Sequence, residues 1–128
     1  MRLLLDTHIF LWFIVGDQKL AIRLREAIAN PENEVFLSVI SLWEIIIKYK
    51  LGHLPLPLPP EIYVPAQREL FDISSLPVDE GSVFQVAKLP PIHRDPFDRL
   101  LIGQAIEHNL RLVTVDTAIS AYPMAPVF

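Results

Sequence analysis

The stretch RLLLDTHIFLW, residues 2–12, runs from a short aliphatic segment into an acid, then directly into a second apolar segment that continues to Val15. Aliphatic residues without alternation are the mark of a parallel strand buried on both faces. Arg2 to Leu5 therefore reads as a strand. Thr7 to Val15 reads as a helix, with Asp6 or Thr7 as N-cap and Gly16-Asp17 as its break. A strand that feeds a helix across an acidic junction opens an α/β unit, and in open α/β sheets ligands bind beyond the carboxyl ends of the strands.

Working outward, Lys19 to Ala29 has the spacing of an amphipathic helix, with Leu20, Ile22, Leu24, Ala27 and Ile28 apolar and Asn30-Pro31 as a stop. Val35 to Leu37 is a second strand. Ser38 or Ser41 can cap the helix that follows to Leu51, where Gly52 ends it. LPLPLPP, residues 54–60, is a rigid connector into a helix at Glu61 to Leu70. It is too short to separate two domains. Phe71 to Ile73 is a weak strand candidate, and Val78 to Leu89 a helix terminated by Pro90-Pro91. RDPFDRLLIGQAIEHN, residues 94–109, carries the strongest helix start, with Asp95 as N-cap, Pro96 at the first position and Asp98 in the first turn. Leu112 to Val115 is another buried strand, again ending in an acid, Asp116. Alternating helices and buried strands predict one α/β domain over residues 1–128, built on a central parallel sheet.

At 128 residues the chain can bury roughly two thirds of its unfolded surface. It has no cysteine, which excludes disulfides and thiolate metal sites and suits a reducing compartment. The apolar run Ile9 to Val15 is far short of the roughly 18–20 residues that cross a bilayer, and the first residues lack the layout of a signal peptide. A cytoplasmic protein with no membrane partner is expected. A net charge of -4 means that any polyanionic partner requires a local basic patch or a bound cation. A hydrophobic content of 52% is high for a small monomer and points to an oligomer or a complex.

Five acids stand out. Asp6 and Asp116 lie at strand ends, where each can serve chemistry or simply cap the next helix. Asp95 and Asp98 sit at a helix N-terminus, which stabilises acids in any case. Glu44 stands between Trp43 and three isoleucines in SLWEIIIK, residues 41–48, with Lys48 one turn on as a ready ion-pair partner. No one of them is decisive. As a set, without cysteine or paired histidines, they form an all-oxygen donor group suited to Mg²⁺ or Mn²⁺ rather than zinc. Two carboxylates at about 5 Å repel by on the order of 3 kcal/mol at an effective dielectric of 20, so such a cluster needs a cation or retained protons.

LLLDTHIFLW, SVISLWEIIIKYKLG, HRDPFDRLLIGQA and LVTVDTAISAYP resemble, in order and spacing, the PIN domain, and most closely the VapC-like toxin ribonucleases of toxin-antitoxin systems. The resemblance implies a three-layer α/β/α sandwich and a metal-dependent endoribonuclease that uses one or two Mg²⁺ or Mn²⁺ ions. Carried over by motif, Asp6, Glu44, Asp98 and Asp116 would be the catalytic acids and metal ligands, Asp95 an accessory acid, and Thr7 and Thr114 polar support. Position 8, often asparagine in the wider family, is His8 here, read as hydrogen-bonded scaffold rather than a ligand. Arg94, Arg99, Lys48 and Lys50 flank the acidic motifs as candidates for the RNA backbone, and each is equally readable as an ordinary surface charge. His93 reads either way. The resemblance also supplies the partners: RNA, a cognate antitoxin and a second copy of the chain. The helix around Phe10, Leu11, Trp12, Phe13 and Ile14, apolar nearly all round, fits such contacts.

A reading from another class is a catalytically silent PIN-like interaction module, whose acids are only caps. Phosphatase and receiver-domain patterns fit less well. The first wants an aspartate where His8 stands, the second paired acids at strand one.

Overall fold

The structure, a computed structural model, describes residues 1–128. In chain order the elements are β1 (Arg2–Leu5), α1 (Thr7–Val15), α2 (Ile22–Ala29), β2 (Glu34–Ser38), α3 (Val39–Lys50), α4 (Pro60–Leu70), β3 (Ile73–Leu76), α5 (Glu80–Ala87), α6 (Pro96–Glu107), β4 (Arg111–Val113) and α7 (Thr117–Ser120). The four strands form one sheet in the order β3-β2-β1-β4, and every pairing is parallel. This is the expected α/β architecture.

Strand alternation divides the interior in two. Leu3, Leu5, Val35, Leu37 and Val113 point to one face, where they meet Ile9, Phe10 and Phe13 of α1, Leu24 and Ile28 of α2, Ile45 of α3 and Val64 of α4. Leu4 and Leu112 point to the other, against Leu101, Ile102 and Ala105 of α6, Ile119 of α7 and Tyr122. The sheet is thus covered on both faces, which is why its strands read as aliphatic runs. α5 lies against α6 so closely that a Cβ at Gly103 would come within 2.5 Å of the Ser82 carbonyl oxygen. No helix is long and apolar enough to cross a membrane.

Several boundaries differ from expectation for local reasons. α2 begins at Ile22 rather than Lys19, because Asp17 first closes a turn, accepting from the Lys19 and Leu20 amides. β3 begins at Ile73, where Phe71 still bonds back to Gln67 as the C-cap of α4 and Asp72 adopts a left-handed φ of 55°. α5 starts at Glu80 and stops at Ala87, shorter than Val78 to Leu89, since Asp79 is the N-cap. β4 spans Arg111–Val113, not Leu112 to Val115: pairing ends opposite Leu5, and Thr114 turns its hydroxyl to a side chain instead. The apolar girth of α1 has a simple cause as well, because Leu11, Trp12 and Ile14 also pack against the core, with Leu54 and Leu56 of the proline-rich connector beside them.

Candidate active site

β1 and β4 are neighbours, so their carboxyl ends bring Asp6 and Asp116 to one edge of the sheet. Asp6 is buried. Its Oδ1 accepts from the Thr7 amide at 2.7 Å and its Oδ2 from the Thr114 hydroxyl at 2.8 Å. Thr114 Oγ1 in turn accepts the Asp116 amide at 3.0 Å, while Asp116 Oδ1 caps α7 through the Ala118 amide at 2.9 Å. Both capping expectations are realised. Each carboxylate oxygen nonetheless keeps a further lone pair. Burial raises the Asp6 pKa, the Thr114 and Thr7 bonds and His8 oppose the rise, and the Glu44 charge adds to it.

Glu44 enters from α3. Thr7 Oγ1 lies 2.7 Å from Glu44 Oε1 and 2.9 Å from Ser41 Oγ. A carboxylate only accepts, so the one Thr7 proton goes to Glu44 and Ser41 donates to Thr7. Lys48 Nζ pairs with Glu44 Oε2 at 2.9 Å. The cheap ion-pair account of Glu44 and its place beside Asp6 therefore hold together.

The third contribution comes from α6 and the loop before it. Asp95 caps α6 through the Phe97 amide at 2.9 Å. Asp98, one turn in, is buried, and His93 Nε2 stands 3.0 Å from its Oδ2. Burial is the main cause that pushes the Asp98 pKa up to about 6, and the charges of Asp95, Asp6 and Asp116 add to it while the His93 bond opposes it. His93, Asp95 and Asp98 each offer a ligand atom, and these atoms all lie within 4.8 Å of one another. No other three histidine or acidic side chains come that close, so Asp6, Glu44 and Asp116 do not join this trio, although the charges of Asp6 and Asp116 act on Asp98 and that of Glu44 on Asp6. His93 is the residue that sequence reasoning left open, and its only signal was its place five positions before Asp98. His8 stays outside the trio, exposed, with its ring 6.2 Å from that of Trp12.

Acids from β1, α3, α6 and the β4–α7 junction thus share one region, in which burial first and the neighbouring carboxylates second raise the Asp98 pKa. An oxygen-rich donor set of this kind fits a hard divalent cation.

The basic candidates divide. Arg94 and Lys50 are exposed, Lys48 is paired with Glu44, and Arg99 bonds carbonyls and a tyrosine rather than the acids. The Arg99 guanidinium donates to Pro90 O at 2.9 Å and to Tyr122 Oη at 2.8 Å, a geometry that spends its donors inside the protein.

Two apolar surfaces flank this region. His8, Leu11, Trp12, Leu54, Leu56 and Tyr63 line a groove. Ile40, Trp43 and Ile47 of α3 form a second with Phe97 and Leu100 of α6, where the Trp43 and Phe97 rings meet edge-on at 5.2 Å.

A parallel α/β/α sandwich with acids gathered at the carboxyl edge of its strands defines a class of small α/β folds with an oxygen-donor pocket at that edge. Within it, the PIN domain family model matches residues 3–123, and the chain belongs to this family. Ribonuclease VapC22 of Mycobacterium tuberculosis is 27% identical over 120 residues, covering 93% of this chain and 90% of that one. Ribonuclease VapC16 of the same organism is 42% identical over 57 residues, a match that covers 44% of this chain and only 40% of that protein. The fold is also that of VapBC2 from Rickettsia felis, solved bound to a DNA fragment from their promoter, with a TM-score of 0.73 at 18% identity over 100% of this chain and 98% of that one.

Proposed function

We propose that this chain is a metal-dependent endoribonuclease and the toxin half of a toxin–antitoxin pair. The observation that carries the reading is Asp98, a buried carboxyl surrounded by Asp95, Asp6 and Asp116 and pushed up to about 6 by burial and their charges. The ribonuclease names of the two relatives support RNA as the substrate.

Mg²⁺ or Mn²⁺, one ion or two, would neutralise the cluster there, draw a phosphodiester to it and activate water for in-line attack. Asp6, Glu44, Asp98 and Asp116 would be the ligand set, with Asp95 accessory. Thr7 and Thr114 orient two of these acids, Thr7 through Glu44 and Thr114 through Asp6. Arg94 and Lys50, exposed near the acidic motifs, are the side chains free to meet RNA phosphates, and Lys48 would join them only by leaving Glu44. Such an enzyme would work in the cytoplasm.

For the partners, the groove lined by His8, Leu11, Trp12, Leu54, Leu56 and Tyr63 suits an apolar antitoxin segment, because His8 on its wall stands two residues after Asp6. The α3–α6 patch carries no charged residue among Ile40, Trp43, Ile47, Phe97 and Leu100, which suits self-association into a homodimer.

The test is cleavage of labelled RNA by the purified full chain with Mg²⁺ or Mn²⁺, lost in Asp6→Asn and Asp98→Asn. The reading is sunk if wild type cuts no RNA and is as harmless in growing cells as Asp6→Asn.

One observation favours the silent-module alternative: Asp6, Asp95 and Asp116 each cap a helix and Glu44 has its lysine. Calorimetry separates the two, since a silent module would show no Mn²⁺ binding that Asp98→Asn abolishes.

A further inference from the structure

His93 holds its place beside Asp98 although it lies in an irregular segment between α5 and α6, and the reason is found in the core. Tyr122, which follows α7, is only 1% exposed. Its hydroxyl accepts the His93 amide at 2.9 Å and Arg99 Nη1 at 2.8 Å, and lies 2.9 Å from the His93 carbonyl oxygen, to which it donates. One donor and two acceptor sites are all that a phenol has, so the hydroxyl is fully used. Both main-chain polar groups of a single residue are thereby bracketed by one side chain.

Arg99 completes the bracket. Besides Tyr122, its Nη1 meets Pro90 O at 2.9 Å and His93 O at 3.4 Å, and its Nη2 meets Val86 O at 3.3 Å and Leu89 O at 3.4 Å. The guanidinium therefore ties the end of α5, at Val86, and the Leu89 carbonyl just beyond it to the segment that leads into α6. A phenylalanine would fill the same space among Leu4, Leu101 and Leu112 without the burden of a buried hydroxyl. The hydroxyl's work is on the loop.

We propose that Tyr122 and Arg99 are positioning residues, which clamp the main chain of His93 so that its imidazole stays on Asp98 and holds that carboxyl in place for its role in the acidic centre. This rests on the nuclease reading for its consequence but not for its geometry. Partners that orient a functional carboxylate or imidazole typically cost about 10- to 100-fold when removed.

The experiment uses the metal-free, ¹⁵N-labelled full chain. The chain has four histidines, and His93→Ala identifies the His93 ring signals by their loss. Tyr122→Phe, with its ring packing kept, is expected to leave amide signals outside the α5–α6 segment in place and to move the His93 ring nitrogens to the position of the exposed His53. Unchanged His93 ring signals overturn the clamp. In RNA cleavage, Tyr122→Phe is expected to lose about 10- to 100-fold, in kcat rather than KM. Tyr122→Phe in a His93→Ala background should cost nothing further, and independent, multiplying losses also overturn the proposal. If wild type cleaves no RNA, the nuclease reading fails while the ring signals still decide the clamp. Should Tyr122→Phe not fold, Arg99→Lys leaves the core tyrosine intact and carries the same comparison, because an ammonium cannot span the same carbonyls.

Discussion

Thr114 donates its hydroxyl to Asp6 Oδ2 at 2.8 Å, which joins the ends of two adjacent strands that lie 108 positions apart in the chain. The same oxygen accepts the Asp116 amide at 3.0 Å, so one hydroxyl spaces two of the acids. Thr114→Val keeps the β-branched shape and removes both bonds. Urea denaturation should show a loss of about 1–3 kcal/mol, the range for leaving buried partners unsatisfied. The Asp6 carboxyl, without a bond that lowers its pKa, should hold its proton to higher pH, which carboxyl NMR would follow.

Asp98→Asn is expected to separate stability from function. In metal-free protein it removes a buried charge that faces Asp95, Asp6 and Asp116, so the melting temperature should rise or stay level at pH 7. Added Mn²⁺ should raise the melting temperature of wild type and not that of the variant. Calorimetric scans with and without metal read both effects.

The metal-free stability curve should slope against the usual trend over one pH window. Asp98 is raised from 3.8 to about 6, so between those values the folded chain binds more protons than the unfolded chain and stability falls as pH rises. The raised Asp6 acts in the same direction. Asp79, the N-cap of α5, works oppositely: the Ser82 hydroxyl bond lowers it to about 2, so its contribution is present above 3.8 and is lost as pH falls through about 2. Urea midpoints from pH 3 to 8 test this, and a profile for Asp98→Asn as steep as wild type between about pH 4 and 6 would refute the assignment to Asp98.

Glu44 offers the cleanest single substitution. Glu44→Gln keeps an oxygen for the Thr7 hydroxyl and loses the Lys48 pair, whose acid is half-buried, so the fold should lose no more than about 1 kcal/mol. RNA cleavage and Mn²⁺ affinity should nevertheless fall at least about tenfold, as for loss of a charged ligand. Unchanged affinity would leave the lysine pair as the whole account of this acid.

An apolar patch that closes a homodimer should also be breakable. Trp43, 57% exposed on α3, touches Phe97 only at its edge. Trp43→Asp should shift sedimentation of the purified chain from dimer to monomer, whereas a wild type that sediments as monomer at micromolar concentration would remove the homodimer from the reading.

How far these features are legible in the linear chain depends on range. Leu3 to Leu5 declared a doubly covered strand because every side chain on both faces is apolar, and Asp95-Pro96 declared a helix start because capping is a local hydrogen bond. The ends of β3 and β4 were not legible. They depend on where pairing with a neighbour stops and on a left-handed residue, Asp72, that carries no glycine to announce it.

For the site, the chain by itself determined which acids stand at helix starts, since capping and spacing place Asp6, Asp98 and Asp116 there. Only the tertiary structure decided how they are grouped. His93 lies on Asp98 while Tyr122, 29 positions further along the chain, bonds its main chain, and Glu44 reaches the Asp6 side of the cluster through Thr7 rather than through any pattern of its own. Capping and strand burial are satisfied within a few residues and so leave a trace in the sequence. Charge clustering is a sum over side chains from separate elements, and it exists only once the sheet order has set β1 beside β4.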